Sequence, residues 1–193
     1  MTSICLIRHG ETDWNKQKRL QGATDIPLND TGIQQANEVR RLLRDSDWDL
    51  IVTSPLSRAK RTAEIINEDL QLPLLELDEL KERSFGIGEG MFFEDIKGKY
   101  PNREFENKEP TEDFQFRIMQ GIDQLSEKYP SKKILLVAHG AVINMILSIV
   151  SKGEIGTGKT RLVNACLSNI QHNRSEWTIQ NYNQIDHLSD FQQ

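Results

Sequence analysis

Two histidines in this chain are each followed by glycine at the end of an apolar run: Arg8-His9-Gly10 after "SICLI" and Ala138-His139-Gly140 after "KKILLV". Histidines and arginines gathered at one edge of a sheet suit an anion such as phosphate, whose oxygens need donors. Arginine suits that task because its planar fork donates two hydrogen bonds in fixed geometry. Arg8 precedes the first histidine, and Arg58 stands in "TSPLSRAKRT", about a turn into the helix expected after a second apolar run. Glu82, in "LKERSFG" beyond a third, adds a carboxylate able to move a proton. Singly, each residue has a plainer reading. A strand-end histidine is ordinarily a hydrogen-bonded edge residue, Arg58 a solvated helix residue like Lys60 and Arg61, and Glu82 part of a charged surface run. Arrival from four separate segments favours one phosphate-handling site, and the glycine after each histidine allows close approach of a ligand.

Strand ends must deliver these residues. "SICLIRH" reads as a buried strand, followed by a helix over "TGIQQANEVRRLLRDS" with Ile33, Ala36, Val39, Leu42 and Leu43 at helical spacing and Thr31 as N-cap. "DLIVTS" is a second strand, "PLSRAKRTAEIINEDL" a helix with proline in its opening turn, and "LPLLELD" a third strand. Periodicity fails from Phe85 to about Pro110. A helix over about Thr111 to Tyr129 then leads into "KKILLVAHG", the strongest strand pattern of the chain. "AVINMILSIVS" reads as a helix, and "RLVNACLSNI" and "EWTIQNY" as closing strands. Strands alternating with helices imply a largely parallel sheet covered on both faces, with ligands beyond the carboxyl ends of its strands.

A second phosphate pattern competes. "GEIGTGKT", Gly153 to Thr160, spells the glycine-rich loop that grips nucleotides. Such a loop leaves a strand and enters a helix, whose N-terminus faces the anion. Here the order is helix, loop, strand, which leaves Lys159 and Thr160 without that N-terminus. The stretch reads as a plain connection.

The 193 residues are ordinary for one domain, and no repeat or linker divides them. A formal charge of −5 argues against a nucleic-acid partner. No apolar run is long enough to cross a bilayer, and no secretory leader is visible at "MTSICLIRHG". Cys5 and Cys166 sit among β-favouring residues and read as buried, reduced thiols of a cytoplasmic protein.

The motifs carry a family resemblance. "LIRHGETDWN" resembles the signature of the histidine phosphatase superfamily, in the branch that includes cofactor-dependent phosphoglycerate mutases. "QGATDIPLNDTGIQQA", "TSPLSRAKRTAEII", "LKERSFGIGEG" and "ILLVAHGAVI" resemble its later blocks in the family's order, spanning about Ile4 to Ile146. Size and motif detail look closest to small bacterial broad-specificity phosphatases of PhoE type. The resemblance implies an α/β three-layer sandwich, its mostly parallel central sheet flanked by helices, as one domain over 1–193 with a short lid insertion over about 85–125. It implies His9 as nucleophile, forming a phosphohistidine that water hydrolyses. Arg8, Arg58, His139, Asn15 and the backbone at Gly140 would hold the phosphate, Gln21 and Gly22 would line the substrate site, and Glu82 would act there as acid and base. Neither a metal nor another cofactor is implied, since the arginines supply the charge. The implied partner is a small-molecule phosphomonoester, met by a monomer or homodimer. His172 and His187 lie outside the matched blocks and receive no role.

Mutases of this family carry a longer segment after the acid–base glutamate. Here "FGIGEGMFFEDIKGKYPNREFENKEPTEDFQF" is short and rich in aromatics, which favours a broad-specificity phosphatase with an apolar lid. The alternative for those aromatics is packing of the lid onto the domain. Lys97, Lys99 and Arg103 could recognise a carboxylate, so a phosphoglycerate mutase stays open, as does a dedicated phosphatase for a cobalamin-precursor nucleotide or a sugar bisphosphate.

Overall fold

Alternation along the apolar runs sorts the core into two halves. In β1 (Thr2–Arg8), Ile4 and Leu6 face one side and Cys5 and Ile7 the other; in β4 (Lys133–Ala138), Ile134, Leu136 and Ala138 oppose Leu135 and Val137. Both sets are buried, so these strands must lie inside a sheet covered on both faces. The computed structural model describes residues 1–173 and 175–191 and has this arrangement. Its six-stranded sheet runs β3-β2-β4-β1-β5-β6, with β2 (Leu50–Thr53), β3 (Leu74–Glu76), β5 (Leu167–His172) and β6 (Trp177–Gln184) completing it. Pairings from β3 through β2 and β4 to β1 are parallel, and those of β5 and β6 are antiparallel.

Among the described residues, four longer helices cover the two faces of the sheet. α2 (Asp30–Leu43) and α3 (Ser57–Leu70) cover the Cys5 and Ile7 face through Val39, Leu43, Ala59, Ala63 and Ile66. α5 (Thr111–Lys128) and α6 (Gly140–Val150) cover the other through Phe114, Ile118, Ile122, Val142, Ile143 and Ile146. α1 (Asp13–Lys16) is a single turn beside His9, and α4 (Phe93–Lys99) lies in the stretch where sequence periodicity fails.

Several local expectations are corrected. α2 begins two residues earlier than expected, because the Asn29 side chain, not Thr31, accepts the Gly32 N–H at 2.9 Å and caps it. Its buried stripe runs through Ala36, Val39 and Leu43; Ile33 and Leu42 are exposed. Pro55 precedes α3, with Leu56 as its N-cap. The segment read as a strand from Arg161 pairs only from Leu167 onward; before that it loops over the end of β1, with Ala165 at φ 59°. The third strand shrinks to Leu74–Glu76 at the sheet edge. "GEIGTGKT" lies between α6 and β5, where Thr160 Oγ1 accepts the Gly156 N–H at 2.9 Å and Lys159 Nζ folds back onto the Gly153 carbonyl. The Gly156 amide and the Lys159 cation are thus used within the loop.

Candidate active site

β1 and β4 pair in parallel register, Arg8 against Ala138, so their ends bring His9 and His139 side by side. The ring centroids are 5.2 Å apart and the planes tilted by 57°. Both rings are buried, His9 at 2% and His139 at 0% exposure. His9 Nδ1 lies 2.7 Å from the Gly10 carbonyl oxygen, an acceptor, so Nδ1 carries the proton and Nε2 keeps a lone pair. Burial holds His9 well below the usual histidine range, with Arg58 and Arg8 adding to the effect. His139 is lowered the same way, first by burial and then by Arg58, His9 and Arg8. Neutral imidazoles result, as a nucleophile requires.

The arginines are anchored by backbone oxygens. Arg58, on the first turn of α3 and 1% exposed, donates from Nη1 to the Thr24 carbonyl at 2.8 Å and from Nη2 to the Gly22 carbonyl at 2.7 Å. Arg8 donates from Nη1 to the Leu162 carbonyl. Arg8 Nε, Arg58 Nε and His139 Nδ1 are buried with no hydrogen-bond partner in the protein. Two buried guanidinium N–H groups and a buried ring nitrogen, all without a protein partner, are costly unless a ligand such as an anion receives them. A phosphoryl group fits that demand.

Glu82 sits opposite. Its Oε2 accepts the Ala141 N–H at 3.0 Å and its Oε1 the Arg83 N–H at 2.9 Å, which fixes it against the first turn of α6. Burial pushes its carboxyl up, against the opposing pull of those two bonds, Arg58 and Arg8. Glu82 is therefore inclined to hold a proton that an exposed carboxyl would lose.

Asn15, Gln21, Gly22 and Gly140 stand around this centre. Asn15 Oδ1 accepts the Thr12 N–H at 3.2 Å and the Asn164 amide at 3.1 Å, which leaves its own NH2 for other partners. Buried Gln21 accepts the Thr12 hydroxyl at 2.7 Å. Gly22 adopts φ 57°, and a Cβ there would lie 2.3 Å from Glu89 Oε1, so only glycine fits. Gly140 opens α6 beside Arg8. Gly10 has a different purpose from the one its position suggested: a Cβ there would meet the Gly32 carbonyl oxygen at 2.4 Å, so its smallness serves the packing of α2.

Sequence reasoning missed four supporting residues. Asn164 donates to the His9 carbonyl as well as to Asn15, both at 3.1 Å. Thr62 accepts the Gly10 N–H at 3.1 Å and donates to the Arg58 carbonyl at 2.7 Å. Ser54 contacts His139 Nε2 at 2.8 Å. Glu89 accepts from the Ala23, Thr24 and Phe85 N–H groups and from the Thr24 hydroxyl, tying the Gly22–Thr24 loop to the following segment. The "TSP", "RTA" and "GIGEG" blocks contained three of these, but their polar residues read as ordinary strand-end, helix and turn residues. His187 bonds the Ala165 carbonyl and His172 packs on Trp177, both outside the centre.

Of the aromatics after Glu82, Phe105 is 7% exposed in a small cluster with Leu20, Ile96, Phe85, Met91 and Tyr100. Phe114 belongs to the main core. Packing accounts for these; Phe92 and Phe93 remain exposed. Among the described residues there is no cluster of histidine, cysteine or acidic side chains suited to a metal ion, and no helix long and apolar enough to cross a membrane.

The sheet order and this paired-histidine, paired-arginine centre define a phosphoglycerate mutase-like phosphatase fold. Residues 4–185 match the histidine phosphatase superfamily, branch 1, and the chain belongs to that family. It is 52% identical over 191 residues to the PhoE phosphatase of Bacillus subtilis, itself uncharacterized, covering 99% of both chains. A metal-independent phosphoserine phosphatase of Arabidopsis thaliana is 30% identical, covering 98% of this chain and 84% of the relative. A phosphoserine phosphatase of Entamoeba histolytica, solved with phosphoserine, superposes with a TM-score of 0.86 at 31% identity, covering 97% of this chain and 100% of that one. The chain is accordingly a phosphoric monoester hydrolase.

Proposed function

We propose that the chain hydrolyses small phosphomonoesters of broad structure, without a metal, through a phosphohistidine on His9. The observation that carries this reading is the trio of buried nitrogens without a protein partner on Arg8, Arg58 and His139, with the His139 ring 5.2 Å from that of His9 and both arginines close enough to lower the proton affinity of His9. They suit the equatorial oxygens of a transferring phosphoryl group, whose charge they stabilise without reorganising. With the Asn15 amide and the backbone at Gly140, they form the phosphate cradle; Gln21 and Gly22 border it.

In the first step His9 Nε2 attacks phosphorus, the bond to the ester oxygen breaks, and that oxygen takes the proton held by Glu82. In the second, the Glu82 carboxylate takes a proton from water as the water oxygen attacks phosphorus. The nitrogen–phosphorus bond breaks, freeing inorganic phosphate and restoring both side chains. The raised affinity of Glu82 for its proton favours the acid role in the first step.

Of the segment expected as a lid, about 85–125, residues 85–110 are the part we assign to it, since α5 from Thr111 packs Phe114, Ile118 and Ile122 into the main core. The aromatic cluster of those residues is braced by Glu89. A short lid favours hydrolysis over the phosphoryl return of a mutase, which must hold its product at the site while it reorients. The relatives acting on phosphoserine make that ester a first candidate substrate. The buried thiols of Cys5 and Cys166, pushed up to about 12 and about 11 by burial, suit a reducing cytoplasm. The test is phosphate release from p-nitrophenyl phosphate and phosphoserine, with and without EDTA, for the wild type and His9→Ala. EDTA-resistant release that disappears in the variant is the expected outcome; release that survives His9→Ala overturns the reading.

A further inference from the structure

His139 brings two ring nitrogens to the site but only one proton while neutral, and the structure assigns where that proton sits. We propose that Ser54 is a positioning residue that sets the tautomer of His139, keeping the proton on Nδ1 so that a neutral imidazole donates to the phosphoryl group.

Ser54 follows β2 directly and is fully buried. Its place is fixed by the parallel pairing of β2 with β4, continued by the bond from the Ser54 N–H to the Val137 carbonyl at 3.1 Å. The hydroxyl oxygen accepts the Leu56 N–H at 3.3 Å and lies 2.8 Å from His139 Nε2. A buried hydroxyl hydrogen needs an acceptor. Among the described residues, Nε2 is the acceptor within hydrogen-bond distance of that oxygen. Ser54 therefore donates to Nε2, which must be unprotonated, and the ring proton falls on Nδ1.

The reverse tautomer carries two penalties. Nε2–H would donate to Ser54 and leave the serine hydrogen without an acceptor. Nδ1, buried and without a protein partner, would then turn a lone pair toward the phosphate oxygens. Protonating both nitrogens is opposed by burial and by Arg58, His9 and Arg8. Position within the strand pairing and a single hydroxyl thus convert an ambiguous ring into a fixed donor.

This inference rests on the proposed phosphatase reading for its catalytic half, whereas the tautomer itself is a property of the free protein. The test is a long-range 1H–15N NMR correlation on the full chain with 15N-labelled histidine, at neutral pH without substrate, for the wild type, Ser54→Ala and Ser54→Thr. The wild type should show His139 protonated on Nδ1. Ser54→Ala should shift the ring toward Nε2–H and lower kcat on the order of 10²-fold, the scale of one lost transition-state donor, with little change in KM. Ser54→Thr should restore both readouts. A wild-type ring protonated on Nε2 overturns the proposal, and that measurement needs no variant to fold. So does a Ser54→Ala protein that loses activity with its tautomer unchanged, or changes tautomer without losing activity. A wild type inactive on every ester, yet protonated on Nδ1, would sink the phosphatase reading and leave the tautomer assignment standing.

Discussion

His9 and His139 face each other across 5.2 Å with both rings buried and both kept neutral, by burial first and then by Arg58 and Arg8. The sign of the consequence for stability is fixed. Each ring has a lower proton affinity folded than unfolded, so below the unfolded value of about 6.5 the unfolded chain binds protons the native chain refuses. Stability should hold steady above about pH 7 and fall as pH drops below about 6.5. Urea denaturation across that range checks it, and His139→Gln should flatten part of the slope. A stability independent of pH there would mean the rings are not held neutral.

Glu82 gives a prediction that depends on the substrate. If it protonates the leaving oxygen, Glu82→Gln should slow phosphoserine by about 10²- to 10⁴-fold, the usual range for a lost general acid. p-Nitrophenyl phosphate, whose leaving group departs readily as an anion, should suffer much less in the first step. Single-turnover rates on both esters make the comparison. Equal losses on the two would remove Glu82 from the acid role.

Glu89 makes a structural claim on catalysis at a distance. Its carboxylate holds the Ala23 and Thr24 amides at 3.0 Å each, in the loop whose Gly22 and Thr24 carbonyls grip Arg58. Glu89→Ala leaves those amides without their acceptor. With Ala23 exposed and Thr24 half-buried, water takes part of its place, and the cost stays at the scale of an ordinary hydrogen bond, about 1 kcal/mol. We expect a lower melting temperature, together with weaker inhibition by vanadate as Arg58 loosens. Unchanged vanadate affinity would separate the loop from the phosphate cradle.

Much of this arrangement was legible in the chain, for a physical reason. β1 and β4 are apolar runs that each end in a histidine followed by glycine, and parallel pairing leaves such ends little freedom, so His9 and His139 could be brought together on paper. Arg58 followed from helical spacing after β2. What stayed hidden depends on long-range contact. Asn164 lies in a segment whose alternation looks like strand; only the loop over β1 turns it onto His9 and Asn15. Glu89 looks like one acidic residue in a glycine-rich turn until the Gly22–Thr24 loop folds against it. The cap at Asn29 escaped notice because Thr31 offers the same chemistry two residues later. Gly10 was assigned to ligand approach, whereas its neighbour proved to be the Gly32 backbone.

The glycine-rich stretch from Gly153 to Thr160 offers a control. Lys159 bonds its own loop at the Gly153 carbonyl and has no strand-to-helix setting behind it. Lys159→Ala should leave kcat/KM for p-nitrophenyl phosphate within about twofold, in line with an exposed side chain away from special features. It should also leave the chain indifferent to ATP and Mg²⁺ in a thermal-shift assay. A large loss of phosphate release in this variant would reopen the nucleotide reading.

The most direct measurement is capture of the phosphorylated enzyme. The wild type would be mixed with 32P-labelled phosphoserine, quenched in alkali within the first turnover, and mapped by peptide mass spectrometry. Label should appear on the peptide containing His9, be stable to alkali and labile to acid, and be absent in His9→Ala. Label on another residue, or full turnover with no phosphoenzyme at any quench time, would contradict a phosphohistidine mechanism at this site.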